Sequence, residues 1–174
     1  MGATVVTVTV CDLTPADHDV LLALNNRHAD EVNALTPDAF AGLVAVAARA
    51  RVVEGGLGFL IALDETTPPQ GPNHAWFLAR EAAFVYIDRV VVAPEARGRG
   101  LGRRLYDDLA AAAAGRPLCC EVNIVPPNPA SLAFHERLGF EARGEATDPR
   151  NGKVVRYLRR PALPASSSYA KLIR

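Results

Sequence analysis

Between Arg97 and Gly102 the chain reads Arg-Gly-Arg-Gly-Leu-Gly, with Arg103 and Arg104 directly behind it. Glycines at alternate positions let a backbone take dihedrals closed to other residues and approach a ligand closely. Arginines around such a turn add positive charge. If a helix starts there, its unpaired amides and the positive end of its dipole point at whatever the turn holds. That chemistry suits an anion. Two carboxylates stand out for a different reason. Glu121 lies inside Leu118-Cys-Cys-Glu-Val-Asn-Ile-Val125, and Asp88 interrupts the apolar run around Ile87 and Val90, with Arg89 next to it. A charge in an apolar strand is costly unless it has a partner or a task.

The elements that must position these groups follow from periodicity. Tyr86, Ile87, Val90, Val91 and Val92 read as a buried strand stopped by Pro94. From Leu101 onward, Leu101, Leu105, Leu109 and Ala112 recur at helical spacing. A strand, a glycine-rich turn and a helix start make a diphosphate cradle. In the strand 118–125, alternation puts Glu121 and Asn123 on one face and Cys120, Val122 and Ile124 on the other. Pro126 and Pro127 end it. Asn128 then caps a helix with Pro129 at its first position, and Gly139 closes that helix.

Arg97, Gly100 and Gly102 satisfy the pattern of Gln or Arg, two residues, Gly, one residue, Gly or Ala. The segment resembles the acetyl-CoA signature of the GNAT superfamily of N-acetyltransferases. A second block, Asn128-Pro-Ala-Ser-Leu-Ala-Phe-His-Glu-Arg-Leu-Gly-Phe140, resembles the superfamily's second CoA-contacting motif. Together the two cover roughly residues 83 to 145. The resemblance implies acetyl-CoA as co-substrate, no metal, and acetyl transfer to an amine by direct attack in a ternary complex.

It also implies roles. Backbone groups around Val90, Val91 and Val92 hold the pantetheine arm, with an amide near Val90 meeting the thioester oxygen. The amides of Arg97, Gly98, Arg99, Gly100, Leu101, Gly102 and Arg103 hold the diphosphate. Asn128 contacts the arm and Ser131 reaches the phosphate side. Glu121 and Asp88 each align with a carboxylate that some members use as base, and Glu121 is preferred because its strand is otherwise apolar. Either can instead hold the acceptor's ammonium. Where the motif usually has a tyrosine acting as general acid toward the thiolate, this chain has His135. An imidazole can donate that proton, or simply take a structural place.

The rest of the chain is read by order of elements. Val5 to Val10 forms a first strand, and Thr14-Pro15 opens a helix through Val20, Leu21, Leu24 and His28. Asn25, Asn26, Arg27 and His28 come as a polar block, either a solvated face or a wall of the acceptor pocket. A second helix starts at Thr36-Pro37. Strands at 51–53 and 58–63 flank a Glu54-Gly55-Gly56 turn. Between Asp64 and Ala82 the pattern breaks into a long loop carrying Trp76 and Phe77. It reads as a folded lid over the acceptor, or as a surface loop anchored to the core or to a second subunit. Asn151-Gly152 turns a terminal hairpin. The expected fold is a single-domain GNAT-like α/β structure over residues 1–160, with a C-terminal tail at 161–174. Its sheet is mixed and mostly antiparallel, with splayed central strands and helices on both faces.

Bulk properties narrow the partners. The 174 residues carry 19 Lys and Arg against 19 Asp and Glu. Nothing global therefore recommends nucleic acid or an anionic membrane. Three cysteines, Cys11, Cys119 and Cys120, suit a reducing cytoplasm rather than a disulfide framework. No apolar run approaches the ~20 residues of a membrane span, and no targeting segment is visible. A dinucleotide-binding oxidoreductase is disfavoured because Arg103 fills its third glycine position, and a P-loop is excluded by the missing Gly-Lys-Ser/Thr ending. A non-catalytic acyl-CoA-binding module remains as an alternative, as does a protein or peptide N-terminal acetyltransferase. The expected acceptor is a small amine held by Asn25, Asn26, His28, Trp76, Phe77 and Asn123, and a homodimer is left open.

Overall fold

A computed structural model describes residues 8–162. In chain order the elements are β1 (Val10–Asp12), α1 (His18–Arg27), α2 (Ala29–Val32), α3 (Pro37–Val46), β2 (Arg49–Val53), β3 (Gly58–Asp64), α4 (Pro72–Leu78), β4 (Val85–Val92), α5 (Leu101–Ala112), β5 (Leu118–Val125), α6 (Pro129–Arg137), β6 (Glu141–Thr147) and β7 (Val154–Arg160). The seven strands form one sheet in the order β1-β2-β3-β4-β5-β7-β6. Every neighbouring pair is antiparallel except β4 and β5, which run parallel.

β4 and β5 are in register only at Val85–Leu118 and Tyr86–Cys119. Beyond Tyr86 the two strands part, and the edge of β4 that faces β5 has no strand partner. The opposite edge of β4 stays paired to β3, with a bulge where Ile87 and Arg89 oppose Ala62 and Ile61 and Asp88 is left over. The expected splay is therefore present, and it opens a gap in the middle of the sheet.

Alternation along β3 sends side chains into both layers. Phe59 meets Phe40 of α3 edge-on at 5.8 Å. On the other face, Arg51, opposite Leu60 in the β2–β3 register, reaches Asp108 of α5 at 2.8 Å. The α5 stripe of Leu101, Leu105 and Leu109 is buried, as is Tyr106. Cys119 and Cys120 are free and buried, and burial pushes the Cys119 thiol up to about 12.

Three local expectations need correction. The first strand is Val10–Asp12: Val8 and Thr9 are not in it, and the earlier part of the expected strand lies outside the described residues. The helix expected from Pro15 opens as a single 3-10 turn before α1. Asp17 ties that turn by accepting from the Thr14 amide at 2.8 Å and the Thr14 hydroxyl at 2.9 Å. The stretch expected to be one long loop contains α4. Pro72 stands at its first position, where a proline has no hydrogen bond to lose.

Candidate active site

The glycine turn is built by its backbone. Gly98 and Gly100 have φ of +75° and +74°, a region that costs an L side chain roughly 1–2 kcal/mol. Gly102 serves packing instead, since a Cβ there would come within 3.2 Å of the Phe134 ring. From Gly98 to Arg103 no backbone N–H donates within the described residues; the first to do so is Arg104, to the Gly100 carbonyl at 3.1 Å. Six free amides at a left-handed turn and a helix start form a concave donor set for phosphate oxygens.

The arginine side chains contribute less than their number suggests. Arg97 folds back, its Nε on the Val92 carbonyl at 3.4 Å and its Nη2 3.4 Å from His28 Nδ1. Arg103 lies 3.8 Å from Asp107, and Arg104 donates to the Val8 carbonyl at 3.1 Å. Arg99 alone of the four has no partner among the described residues.

The gap between β4 and β5 continues from this turn into a cleft. Ile87 to Val90 line one side and Cys120 to Asn123 the other, with Asn128, Ser131 and His135 of α6 closing the end near the turn. Val90 faces the cleft, whereas Val91 is buried in the core opposite Phe59. The Asn128 side chain accepts from the Ser131 amide at 3.2 Å, so it caps α6 while lining the cleft.

Glu121 sits on the cleft floor. Its Oε2 accepts from the Tyr86 phenol at 2.8 Å and its Oε1 from the Asn73 amide at 3.0 Å, while Tyr157 in turn donates to Asn73 at 3.0 Å. All the donors are neutral. Burial, with the Asp88 charge adding to it, raises the Glu121 carboxyl from 4.5 to about 8, and the Tyr86 and Asn73 hydrogen bonds and the more distant Arg150 only partly offset it. Asp88 is different. Arg89 donates to it at 2.9 Å and also holds Asn25 at 2.9 Å. Strict alternation would send Asp88 and Arg89 to opposite faces; the bulge lets them meet.

His135 is buried, and both ring nitrogens are engaged. Nδ1 lies 2.8 Å from the Ser131 carbonyl, which can only accept, so Nδ1 carries the hydrogen. Nε2 therefore accepts from the Tyr106 phenol at 2.6 Å. Burial also lowers the imidazole's pKa, which favours this neutral form. In this arrangement the hydroxyl hydrogen belongs to Tyr106, a cleft residue that sequence reasoning passed over. Its signal was weak: one tyrosine in the α5 stripe reads as core.

The residues expected to hold the acceptor divide. Asn123 lines the cleft. Asn25 and Asn26 do not; they clamp the chain after α2, Asn25 donating to the Asn33 carbonyl at 3.1 Å and Asn26 bracketing Leu35 at 2.9 and 3.0 Å. His28 stands by Arg97 rather than in the cleft. Trp76 and Phe77 point into a second apolar cluster, Trp76 stacked on Tyr157 at 4.1 Å and Phe77 wholly buried. The same helix sends Asn73 and His74 the other way, into the cleft lining. Thus α4 reaches the site through polar residues that the sequence did not single out.

The model of the acetyltransferase (GNAT) family matches residues 38–140, from α3 through the end of the second motif. The chain belongs to this family. It is an acyltransferase that uses acetyl-CoA as donor. Solved GNAT structures share the fold across nearly the whole chain. The ribosomal-protein-S18-alanine N-acetyltransferase of Escherichia coli is 17% identical, with 93% of this chain and 98% of that one covered at a TM-score of 0.68. Naa20 of Chaetomium thermophilum, solved with a bisubstrate analogue, is 22% identical, covering 88% and 86% at 0.68. A phosphinothricin acetyltransferase of Sinorhizobium meliloti, solved with acetyl-CoA, is 21% identical, covering 96% and 98% at 0.64. No curated protein matches the sequence significantly. Among the described residues of this GNAT chain no helix is long and apolar enough to cross a membrane.

The free amides from Gly98 to Arg103 and the parted strands fit this co-substrate. The turn would hold the diphosphate, and the unpaired edge of β4 would hold the amide groups of the pantetheine arm.

Proposed function

We propose that the acceptor is a small primary amine, acetylated by direct attack on acetyl-CoA in a ternary complex. The observation that carries this reading is a roof. Lys153 donates to the Asp30 carbonyl at 2.5 Å, Asn151 to Asn33 at 3.4 Å, and Asn123 to the Glu31 carbonyl at 3.3 Å. These bonds tie α2 and Asn33 to the β6–β7 turn and to β5, and all these segments line the same cleft as Glu121. A protein tail needs an open groove between those segments; a small molecule does not.

In this reading Glu121 takes the proton from the acceptor ammonium, for which a carboxylate of pKa about 8 is suited. The freed lone pair attacks the thioester carbon, and a β4 backbone N–H near Val90 meets the developing oxyanion. As the C–S bond breaks, the thiolate takes the second proton of the attacking nitrogen, which the forming amide must lose, while the Tyr106–His135 pair, its phenol hydrogen committed to Nε2, lines the leaving-group side of the cleft. Asp88 already has a cation, so it is the weaker base candidate. The test is thiol release from acetyl-CoA against amines, amino acids, aminoglycosides and short peptides. Turnover of one or more small amines is expected. Efficient turnover only on peptide or protein N-termini overturns the reading.

A further inference from the structure

The charged residues that line the acceptor side of the cleft do not all cancel locally. Asp88 is paired with Arg89 at 2.9 Å, and Asp148, itself buried, is paired with Arg150 at 2.7 Å. Glu31 lies at the edge, about half exposed, with His28 3.9 Å away. Two groups are left. Glu121 on the floor is held only by neutral donors. Lys153 in the roof has only the Asp30 carbonyl and makes no ion pair among the described residues. An ammonium has three donors, so Lys153 keeps two for a ligand. Next to it in the lining, Arg150 commits Nε and Nη2 to Asp148. Its Nη1 has no partner among the described residues and rests where Gly71 has no Cβ; a side chain there would come within 3.0 Å. The cleft therefore carries a carboxyl with no ion pair at its floor and spare cationic donors at its roof.

We infer that the acceptor is a zwitterion of the amino-acid class, its ammonium at Glu121 and its carboxylate, or a comparably small anion, at Lys153 and Arg150. This rests on the small-amine reading above and specifies it. A simple amine would satisfy Glu121 and leave the roof donors without a partner. An acceptor without an ammonium leaves the buried Glu121 unmatched, and one without a carboxylate forgoes the charge-assisted contacts at the solvent-accessible Lys153 and Arg150.

The test uses the full chain with acetyl-CoA and matched acceptor sets: an L-amino acid, its α-amide, and the amine left after formal loss of the carboxyl group. For side chains that are accepted, the amino acid is expected to have a kcat/KM roughly 10–100-fold above its amide and its amine, the range of a charge-assisted contact. Lys153→Met should lose about tenfold or more on the amino acid, through KM, and shrink its margin over the amide and the amine. Lys153→Arg should retain the preference. Equal use of amino acid, amide and amine by the wild type overturns this inference and leaves the small-amine reading intact. Turnover of peptides alone overturns both. The wild-type comparison decides the matter even if a Lys153 variant folds poorly.

Discussion

The donor and acceptor ends of the cleft are made of different material. The donor end is backbone: six consecutive free amides, two glycines in the left-handed region, and a helix start, all within Gly98–Arg103. The acceptor end is side chain, collected from Glu31 and Asn33, from Asn73, from Glu121 and Asn123, and from the turn holding Arg150 and Lys153. A backbone site tolerates change in the side chains around it, as Arg97, Arg103 and Arg104, each turned to a partner within the protein, illustrate, and in the proposed reading it holds a ligand common to a whole family. A side-chain site depends on residue identity at each contributing segment, so it is where the acceptor is chosen.

The largest expected effect breaks the acceptor end alone. Glu121→Gln should lower kcat/KM by about 10²–10⁴, the usual contribution of a general base, while acetyl-CoA binding stays near wild type by calorimetry. The wild-type rate should rise with pH toward a limb near 8, since the base must be ionised, and the variant should lose that limb. A glutamine variant with unchanged rate would return the role to Asp88 or to water.

Breaking the donor end should have the opposite signature. Gly100→Val forces a β-branched residue to φ near +74° at an amide that would face phosphate. Acetyl-CoA affinity should fall at least about tenfold, given a strain of ~1–2 kcal/mol before any lost amide contact. Circular dichroism should stay native, because nothing lies within 4 Å of a Cβ there. Normal binding would remove the cradle from the assignment.

A third substitution sharpens the junction between the two ends. Tyr106→Phe leaves His135 Nε2 without its donor and should slow the chemical step about tenfold in single-turnover measurements, with affinity for acetyl-CoA little changed. His135→Ala should act in the same direction, and His135→Tyr should recover part of the rate. If Tyr106→Phe is as fast as wild type while His135→Ala is slow, the histidine acts without the phenol.

The smallest effect is on stability, and it reads the acceptor end without substrate. Glu121 holds its proton in the folded chain up to about pH 8, whereas an ordinary glutamate loses it near 4.5. Between those values the folded state binds more protons than the unfolded one, so this residue's contribution to stability falls as pH rises. The melting temperature of Glu121→Gln relative to wild type should therefore climb steadily from pH 4.5 to 8. A flat difference would mean that Glu121 is not desolvated.

The order of the strands and of the helices other than α2 and α4, the glycine turn and the capped α6 were legible in the sequence because each rests on neighbours in the chain. A glycine's dihedral freedom, a proline at a first helical position and a 3.6-residue stripe act over a few residues. The turn from Arg97 to Gly102 needs no distant partner to take its shape. Glu121 was legible too, as a charge where an apolar strand has no use for one.

Tertiary structure decided the rest. That Asp88 has an ion pair and Glu121 has none follows from a bulge that breaks β4's alternation and from the parting of β4 and β5. That Asn25 and Asn26 clamp a turn, that Trp76 stacks on Tyr157 while Asn73 reaches Glu121, and that Tyr106 donates to His135, are pairings across 8 to 81 residues of chain. Residue type fixes what a side chain can donate, accept or bury. Which group it meets depends on how distant segments pack, and in this cleft that is what separates a structural polar residue from a chemical one.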